Sequence, residues 1–210
     1  MRTALLAGTA VAGGALLYYL YRQRRCRQPK LVLHFDVNET IMVGDPAGGD
    51  SFEDCLNKMI CKNALVRAKK PGADPLKAQS VSELVWWDGT PMLEQGAPAV
   101  GEHVPPLRGD WVWPDGCVPF YKVKALKKQT NGGRAFTQPG SPGCIYRAQL
   151  EELEQALRVP EGARAGLDPR LCHDGVHWFL LPSFFHTLHA LHAAGRDCAP
   201  IFCASNPGVA

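Results

Sequence analysis

Hydrophobic and polar positions divide the chain into an apolar run near its amino terminus, two short apolar segments near residues 31 and 200, and a mixed region between those segments. The first run, 3–21, is uncharged and mostly apolar. A helix rises about 1.5 Å per residue, so a run of this length nearly crosses a hydrocarbon core of about 30 Å. The pattern predicts one transmembrane helix, and the membrane is therefore the first predicted partner.

A basic segment follows the apolar run and indicates its orientation. No acidic residue occurs before Asp36, and five basic residues lie close behind the run: Arg22, Arg24, Arg25, Arg27 and Lys30. By the positive-inside rule, 1–30 is a single-pass anchor with a basic juxtamembrane segment, and the bulk of the chain is cytosolic. A cleaved secretory signal fits less well, because only Arg2 precedes the run. An Arg-rich, acid-free start is also typical of mitochondrial targeting, which is the alternative location.

Two apolar segments predict neighbouring strands of a parallel sheet. The segment 31–35 and the segment 199–204 are short and continuous, as buried strands are. A helix is predicted over 183–194, with Ser183 as its cap and Gly195 as its stop. A strand, an insertion, a helix and a second strand predict an α/β fold. A right-handed crossover then places the carboxyl ends of both strands on one edge, with Asp36 near Ser205.

The region between these strands contains two further predicted helices. The first begins with Asp50 as cap and Glu53 in a capping box, and its basic end reaches Lys70 before Pro71. Its apolar stripe consists of Phe52, Cys55, Leu56, Met59 and Ile60. The second spans 146–157. Between these helices the pattern predicts short strands or packed loops at 85–87, 111–113 and 118–121, an irregular loop at 91–109 and a turn at 131–133.

Composition restricts the class of protein. The net charge of +3 over 210 residues gives no footprint for a nucleic-acid partner. The apolar fraction of 46% is enough for a core in one domain. Eight cysteines occur without a Cys-x-x-Cys pair, which favours reduced thiols in a reducing compartment.

The end of the first predicted strand carries the candidate chemistry. Asp36, Asn38 and Thr40 follow one another at every second position. A carboxylate at the carboxyl edge of a sheet can attack phosphorus, with Mg²⁺ held by few protein oxygens. We therefore take Asp36 as the candidate nucleophile, Asp36 and Asn38 as candidate metal ligands, and Ser205 as the hydroxyl that holds the transferring group. The competing interpretation is an Asx-type turn, in which Asp36 and Thr40 bond local backbone.

The segment Asp36-Val37-Asn38-Glu39-Thr40 resembles the first motif of the haloacid dehalogenase-like (HAD-like) superfamily, Asp-x-Asp-x-Thr/Val. Ser205 after an apolar strand resembles the second motif. The resemblance implies an incomplete Rossmann-like parallel sheet in 31–210, with 41–198 as a cap-type insertion. It also implies Mg²⁺ as cofactor and a phosphorylated small molecule as ligand.

Two departures from the family pattern weaken the prediction of catalysis. Asn38 stands where family phosphatases have a second Asp, and an amide cannot shuttle a proton at neutral pH. A basic third motif and an acidic fourth motif should follow Ser205, and the sequence ends five residues later. We therefore expect a membrane-anchored protein that is catalytically incomplete in this form. The alternative is a Mg²⁺-dependent phosphohydrolase that uses Asp36 as nucleophile.

Histidines provide a weaker candidate site. His186, His189 and His192 lie three apart on one predicted helix, downstream of His173 and His177. A pair of them could ligate zinc, but residues six apart are about 240° apart around a helix, so all three cannot face one ion. Solvated or hydrogen-bonded histidines are the favoured interpretation. A Cys–His nucleophile involving Cys172 or Cys203 is the remaining alternative.

Overall fold

A computed structural model describes residues 30–45, 48–92, 103–109 and 112–203. The described residues form two compact units, one made of Ser183–Cys203 with the residues up to Phe35, the other of Asp36–Pro182. The predicted anchor, 3–21, lies outside the described residues. Among those that are described, no helix combines the length and the hydrophobicity needed to cross a bilayer.

The elements confirm a mixed α/β class that contains a small parallel sheet. In chain order they are β1 (Leu31–Asp36), α1 (Phe52–Asn63), β2 (Leu65–Ala68), β3 (Leu84–Trp86), β4 (Cys117–Pro119), α2 (Lys124–Gln129), α3 (Arg147–Ala156), α4 (Glu161–Arg164), α5 (Pro182–Ala193) and β5 (Cys198–Cys203).

The smaller unit contains the two strands that the sequence predicts as neighbours. β1 and β5 pair as a two-stranded parallel sheet, which confirms the predicted pairing. The prediction that these strands are buried is wrong, since neither strand has a buried residue and Val32, Ile201 and Phe202 are exposed. Aromatic rings of β1, α5 and β5 pack together. The ring of Phe35 is edge-on to that of Phe184, with ring centres 5.1 Å apart, and it stacks on the ring of Phe202 at 6.2 Å. Gly195 has a φ of +67° just after α5, as its predicted role as helix stop requires.

The start of α5 differs from the prediction by two residues. The helix begins at Pro182, so Ser183 lies inside it and is not its cap. Proline suits the first position of a helix because its fixed φ matches the helix and its missing N–H would have no helical partner there.

The larger unit is built on a three-stranded antiparallel sheet in the order β3-β2-β4. Val66 of β2 lies opposite Trp86 on one side and Val118 on the other. Helix α1 packs against β4 and against α3. The largest fully buried side chains of this unit include Leu56, Ile60, Trp86, Phe120, Phe136, Tyr146 and Leu150.

Helix α1 confirms the predicted apolar stripe but not the predicted cap. Phe52, Cys55, Leu56 and Ile60 are buried, and Met59 is partly buried against the core. The cap is Ser51, whose hydroxyl accepts from the Asp54 N–H at 3.1 Å while Asp54 accepts from the Ser51 N–H at 2.9 Å. The capping box is thus shifted by one residue from the predicted Asp50–Glu53 pair.

The carboxyl end of α1 also differs from the prediction. The helix stops at Asn63, and the segment expected to complete it forms β2 instead. Leu65 and Val66 are both fully buried, which a strand in the middle of a sheet achieves on its two faces. The sheet edge extends through backbone bonds from Phe120 N to Ala64 O and from Trp87 N to Leu65 O.

The remaining predictions for the larger unit have mixed outcomes. The strands near 85–87 and 118–121, the turn at 131–133 and the helix over 146–157 are confirmed as β3, β4, a 3₁₀ turn and α3. Val112 and Trp113 lie outside any strand. Helix α2 was not predicted, because it is short and contributes one buried apolar residue, Leu126.

Candidate functional site

Asp36 is the last residue of β1, and it is exposed. Because β1 and β5 are parallel, their carboxyl ends lie on the same edge of the sheet. Within the described part of the chain, the Asp36 carboxylate has no hydrogen-bond or ion-pair partner. Ser205 lies outside the described residues, two positions beyond the end of β5. Its proximity to Asp36 therefore stays a prediction.

The loop after Asp36 is held by its own backbone. The Val37 carbonyl accepts from the N–H groups of Ile41 and Met42, both at 3.0 Å, and the Met42 carbonyl accepts from Glu39 N–H at 2.9 Å. Glu39 has a φ of +59°, which is uncommon outside glycine. Asp36 and Thr40 contribute no side-chain bond to this loop among the described residues, so the turn does not depend on the bonds that an Asx-type turn would use.

Glu39 turns its carboxylate towards helix α1, into a group of charges that we call the ionic cluster: Glu39, Asp50, Lys58, Lys62 and Arg134. Lys58 is at its centre, since its ammonium pairs with Glu39 and, at 2.6 Å, with Asp50. Lys62 also pairs with Glu39, and Arg134 binds Asp50 at 2.5 Å. The side chains of Asp50, Glu39 and Lys58 are only 1%, 9% and 12% exposed.

The cluster holds its groups in their charged forms. Burial alone would raise the pKa of Glu39, but hydrogen bonds and attraction from Lys58 and Lys62 outweigh it and lower that pKa. The same balance, with Lys58 and Arg134 as partners, lowers the pKa of Asp50. Burial would lower the pKa of Lys58, but its bonds to Asp50 and Glu39 raise it. Both carboxylates are therefore ionised and paired at neutral pH.

The ionic cluster does not fit the Mg²⁺ that the family resemblance implies. Ligand atoms of Glu39, Asp50 and Cys55 lie within 4.8 Å of one another, close enough to hold an ion. However, the ammonium of Lys58 already bridges the two carboxylates. Burial and the charges of Glu39 and Asp50 raise the pKa of Cys55 to about 11, so its thiol stays protonated at neutral pH. Cys55 is therefore a poor ligand for Mg²⁺, which prefers oxygen atoms.

The predicted metal ligands Asp36 and Asn38 fit Mg²⁺ only in part. They offer the carboxylate of Asp36 and the backbone carbonyl oxygen of Asn38, whereas protein Mg²⁺ sites commonly use one or two carboxylates together with substrate phosphates. Within the described ranges, Asp36 does not belong to any group of three close His, Cys, Asp or Glu side chains. A metal bound at Asp36 would therefore depend on phosphate oxygens from a ligand.

The predicted histidine candidates fall into two groups. His186, His189 and His192 are exposed on α5, in the smaller unit. In the larger unit, the Nε2 atom of His173 accepts from the Phe52 N–H at 3.1 Å, and Nδ1 of His177 lies 2.7 Å from Asp174. Both of these rings lie close to the ring of Phe52. His173 and His177 are thus hydrogen-bonded, which agrees with the favoured interpretation.

The sequence interpretation missed two groups of basic residues. Lys58 and Arg134 neutralise Asp50 from positions 8 and 84 residues away, and no local pattern indicates such pairs. The second group, the lysines of 122–128, could have been found in the sequence, because 116–150 contains six basic residues and no acidic one.

Comparisons with known proteins add no relative. No protein-family model, curated protein or solved structure matches the chain. The likeness to the HAD-like superfamily therefore rests on the residues Asp36–Thr40 and on Ser205 alone.

Proposed function

We propose that the chain is a membrane-anchored α/β protein, related to the HAD-like superfamily, that is catalytically incomplete and acts by binding. One observation carries the proposal. The only other carboxylate of the Asp36 motif, Glu39, is committed to Lys58 and Lys62 in the ionic cluster. It therefore cannot serve as a free base or as a second metal ligand unless that cluster breaks.

The chemistry of the motif supports the same conclusion. Phosphoryl transfer through an aspartyl intermediate needs a group that protonates the leaving oxygen and later activates water. Asn38 occupies the position from which a family enzyme would supply that group, and its amide cannot act as a general acid or base at neutral pH. Asp36 alone supplies a nucleophile without the acid that would complete a turnover.

A Mg²⁺-dependent phosphohydrolase acting on a phosphorylated small molecule is the second candidate. The parallel pairing of β1 and β5 favours it, since ligands of open α/β sheets bind outside the carboxyl ends of strands. In this reaction the Asp36 carboxylate would attack phosphorus and displace the alcohol, whose oxygen would take a proton from water. Water would then hydrolyse the aspartyl-phosphate, which releases phosphate and restores the carboxylate. The Asn38 carbonyl would be one oxygen ligand of the Mg²⁺.

One experiment separates the two candidates. The full chain in detergent micelles is assayed for hydrolysis of a generic phosphomonoester with and without Mg²⁺, beside Asp36→Asn and the exposed control Asp115→Asn. We expect the same background rate from all three proteins. A Mg²⁺-dependent rate that Asp36→Asn abolishes and Asp115→Asn retains would contradict the proposal and establish the phosphohydrolase.

A further inference from the structure

A surface of the larger unit carries an excess of positive charge. Between residues 116 and 150 there are six basic residues and no acidic one. We call four of them the lysine surface: Lys122, Lys124, Lys127 and Lys128. The first two and the last are exposed, and Lys127 is half-buried. The chain as a whole has a net charge of only +3, so this excess is local.

Helix α2 places three of these lysines on one side. Successive helical residues are about 100° apart, so Lys124, Lys127 and Lys128 fall within an arc of about 100°. Leu126 lies on the opposite side and is fully buried in the core. The buried leucine fixes the rotation of the helix, and the three ammonium groups therefore share its solvent side.

The lysine surface lacks the neutralising partners that other basic residues of this unit have. In the parts of the chain that the structure covers, no carboxylate lies within 4.0 Å of any of the four ammonium groups, whereas Lys58, Lys62, Arg134 and Arg147 all form ion pairs. Like charges at i and i+4, such as Lys124 and Lys128, destabilise a helix. The electrostatic free energy of such an unpaired cluster therefore falls when an anionic surface approaches it.

Aromatic residues within the lysine surface favour a membrane over a nucleic acid. The ammonium of Lys122 lies 4.3 Å above the ring of Trp113, and that of Lys127 lies 3.7 Å above the ring of Tyr121. Nucleic-acid surfaces leave such faces open for bases to stack on, but here ammonium groups cover them. Next to Trp113, Val112 is 81% exposed, and an exposed apolar residue beside a tryptophan suits the lipid interface.

We propose that the lysine surface binds the anionic phospholipid headgroups of the membrane in which the chain is anchored. This inference rests on the proposed membrane anchoring, which would keep the larger unit close to a bilayer. Basic residues near a negatively charged leaflet are each attracted to it, and at about 1 kcal/mol per residue each contributes about fivefold to binding. Val112 and Trp113 enter the headgroup region while the lysines contact phosphates.

The test uses the full chain in vesicles of phosphatidylcholine alone or of phosphatidylcholine mixed with phosphatidylserine. A membrane-impermeant amine-acylating reagent labels outward-facing copies, and mass spectrometry gives the labelling rate of each lysine. We expect the four lysines to label at least about fivefold more slowly in the phosphatidylserine vesicles, and raised salt to reverse the effect. The exposed residues Lys69, Lys70 and Lys77 should label equally in both.

Two double variants test whether the protection depends on the lysine surface. The double variant Lys124→Gln/Lys128→Gln should abolish the protection of Lys122 and Lys127, while Lys69→Gln/Lys70→Gln, with the same change of charge, should leave it intact. Equal labelling in both lipid mixtures would overturn the proposal, and so would protection by added single-stranded RNA but not by phosphatidylserine. Flotation of the chain with either type of vesicle reports the anchor separately, so its failure is distinguishable.

Discussion

The backbone N–H of Phe52 donates a hydrogen bond to Nε2 of His173, 121 residues further along the chain, at 3.1 Å. Phe52 is the first residue of α1, so its N–H has no partner inside the helix. A ring nitrogen accepts a hydrogen bond only when it carries no proton. The neutral imidazole of His173 therefore completes the amino terminus of α1 and fixes the segment around residues 172–178 against it.

Removing this imidazole should destabilise the larger unit. We expect His173→Ala to lower the free energy of unfolding by about 1–2 kcal/mol, because the Phe52 N–H is left without a partner in a partly buried place. Chemical denaturation of the full chain in micelles measures the loss. His189→Ala on the exposed side of α5 is the control and should change the stability by less than about 0.5 kcal/mol. Equal effects of the two variants would contradict the role of His173.

Lys58 should be the most costly charge to remove from the ionic cluster. Lys58→Met leaves Glu39 and Asp50 with one cation each, and losing a hydrogen bond between charged groups costs about 1.5–3 kcal/mol. The exposed control Lys70→Met should have little effect. Denaturation at pH 7 measures both. A loss below about 1 kcal/mol for Lys58→Met would show that Lys62 and Arg134 suffice.

The contribution of Lys58 to the stability of the fold should depend on pH. The pKa values of Glu39 and Asp50 are lower in the folded protein than their ordinary values of 4.5 and 3.8. Ionisation of these carboxylates therefore stabilises the fold above those values, and that stability is lost as the pH falls through the folded pKa values. The difference in stability between the wild type and Lys58→Met should accordingly shrink as the pH falls from about 5 through the folded pKa values of the two carboxylates, which lie below 4.5 and 3.8. A difference that is constant over this range would contradict the assignment.

Gly143 is required by packing. A Cβ atom at this position would lie 2.5 Å from the ring of Phe136, which is fully buried in the core. We expect Gly143→Ala to cost about 1–3 kcal/mol through overpacking. Gly162→Ala is the matched control, because a Cβ there meets no atom within 4 Å. Thermal melts of both variants provide the comparison, and similar midpoints would show that the core around Phe136 yields.

The predicted anchor is tested by carbonate extraction of membranes. The wild-type chain should stay in the pellet, whereas Val11→Arg should shift it towards the supernatant. An arginine in the middle of the apolar run costs about 2.5–3.5 kcal/mol of insertion free energy. Leu76→Arg, at an exposed position of the larger unit, should behave as the wild type. Release of the wild type by carbonate would refute a spanning helix.

The sequence predicted those elements whose residues carry their own signal. The stripe from Phe52 to Ile60 buries a continuous set of side chains, so its periodicity is readable. The short apolar segments of β1 and β5 were readable as strands from their length and composition, although no residue of either strand is buried. The end of α1 was misplaced because Arg67, Lys69 and Lys70 suit a helix terminus equally well. The segment forms a strand because Leu65 and Val66 are buried between β3 and β4. Both of those strands come later in the chain, so the local pattern does not reveal the pairing.

The candidate site was predictable to a similar extent. The position of Asp36 at the end of β1 follows from the local pattern. The ion pairs of Glu39 do not follow from that pattern, because the turn after β1 and the packing of α1 bring Lys58 and Lys62 to it. The contact of His173 with Phe52 spans more than half of the chain, and no periodicity encodes it.

The pairing of β1 with β5 has a consequence during protein synthesis. About 160 residues separate the two strands in the sequence, and at about 5–20 residues per second the ribosome takes roughly 8–30 s to make them. For that time β1 has no partner strand from the described part of the chain, and an unpaired strand edge invites pairing with other chains. The elements of the larger unit are complete before β5 exists. The edge of β1 is therefore open to pairing with other chains until β5 has been made.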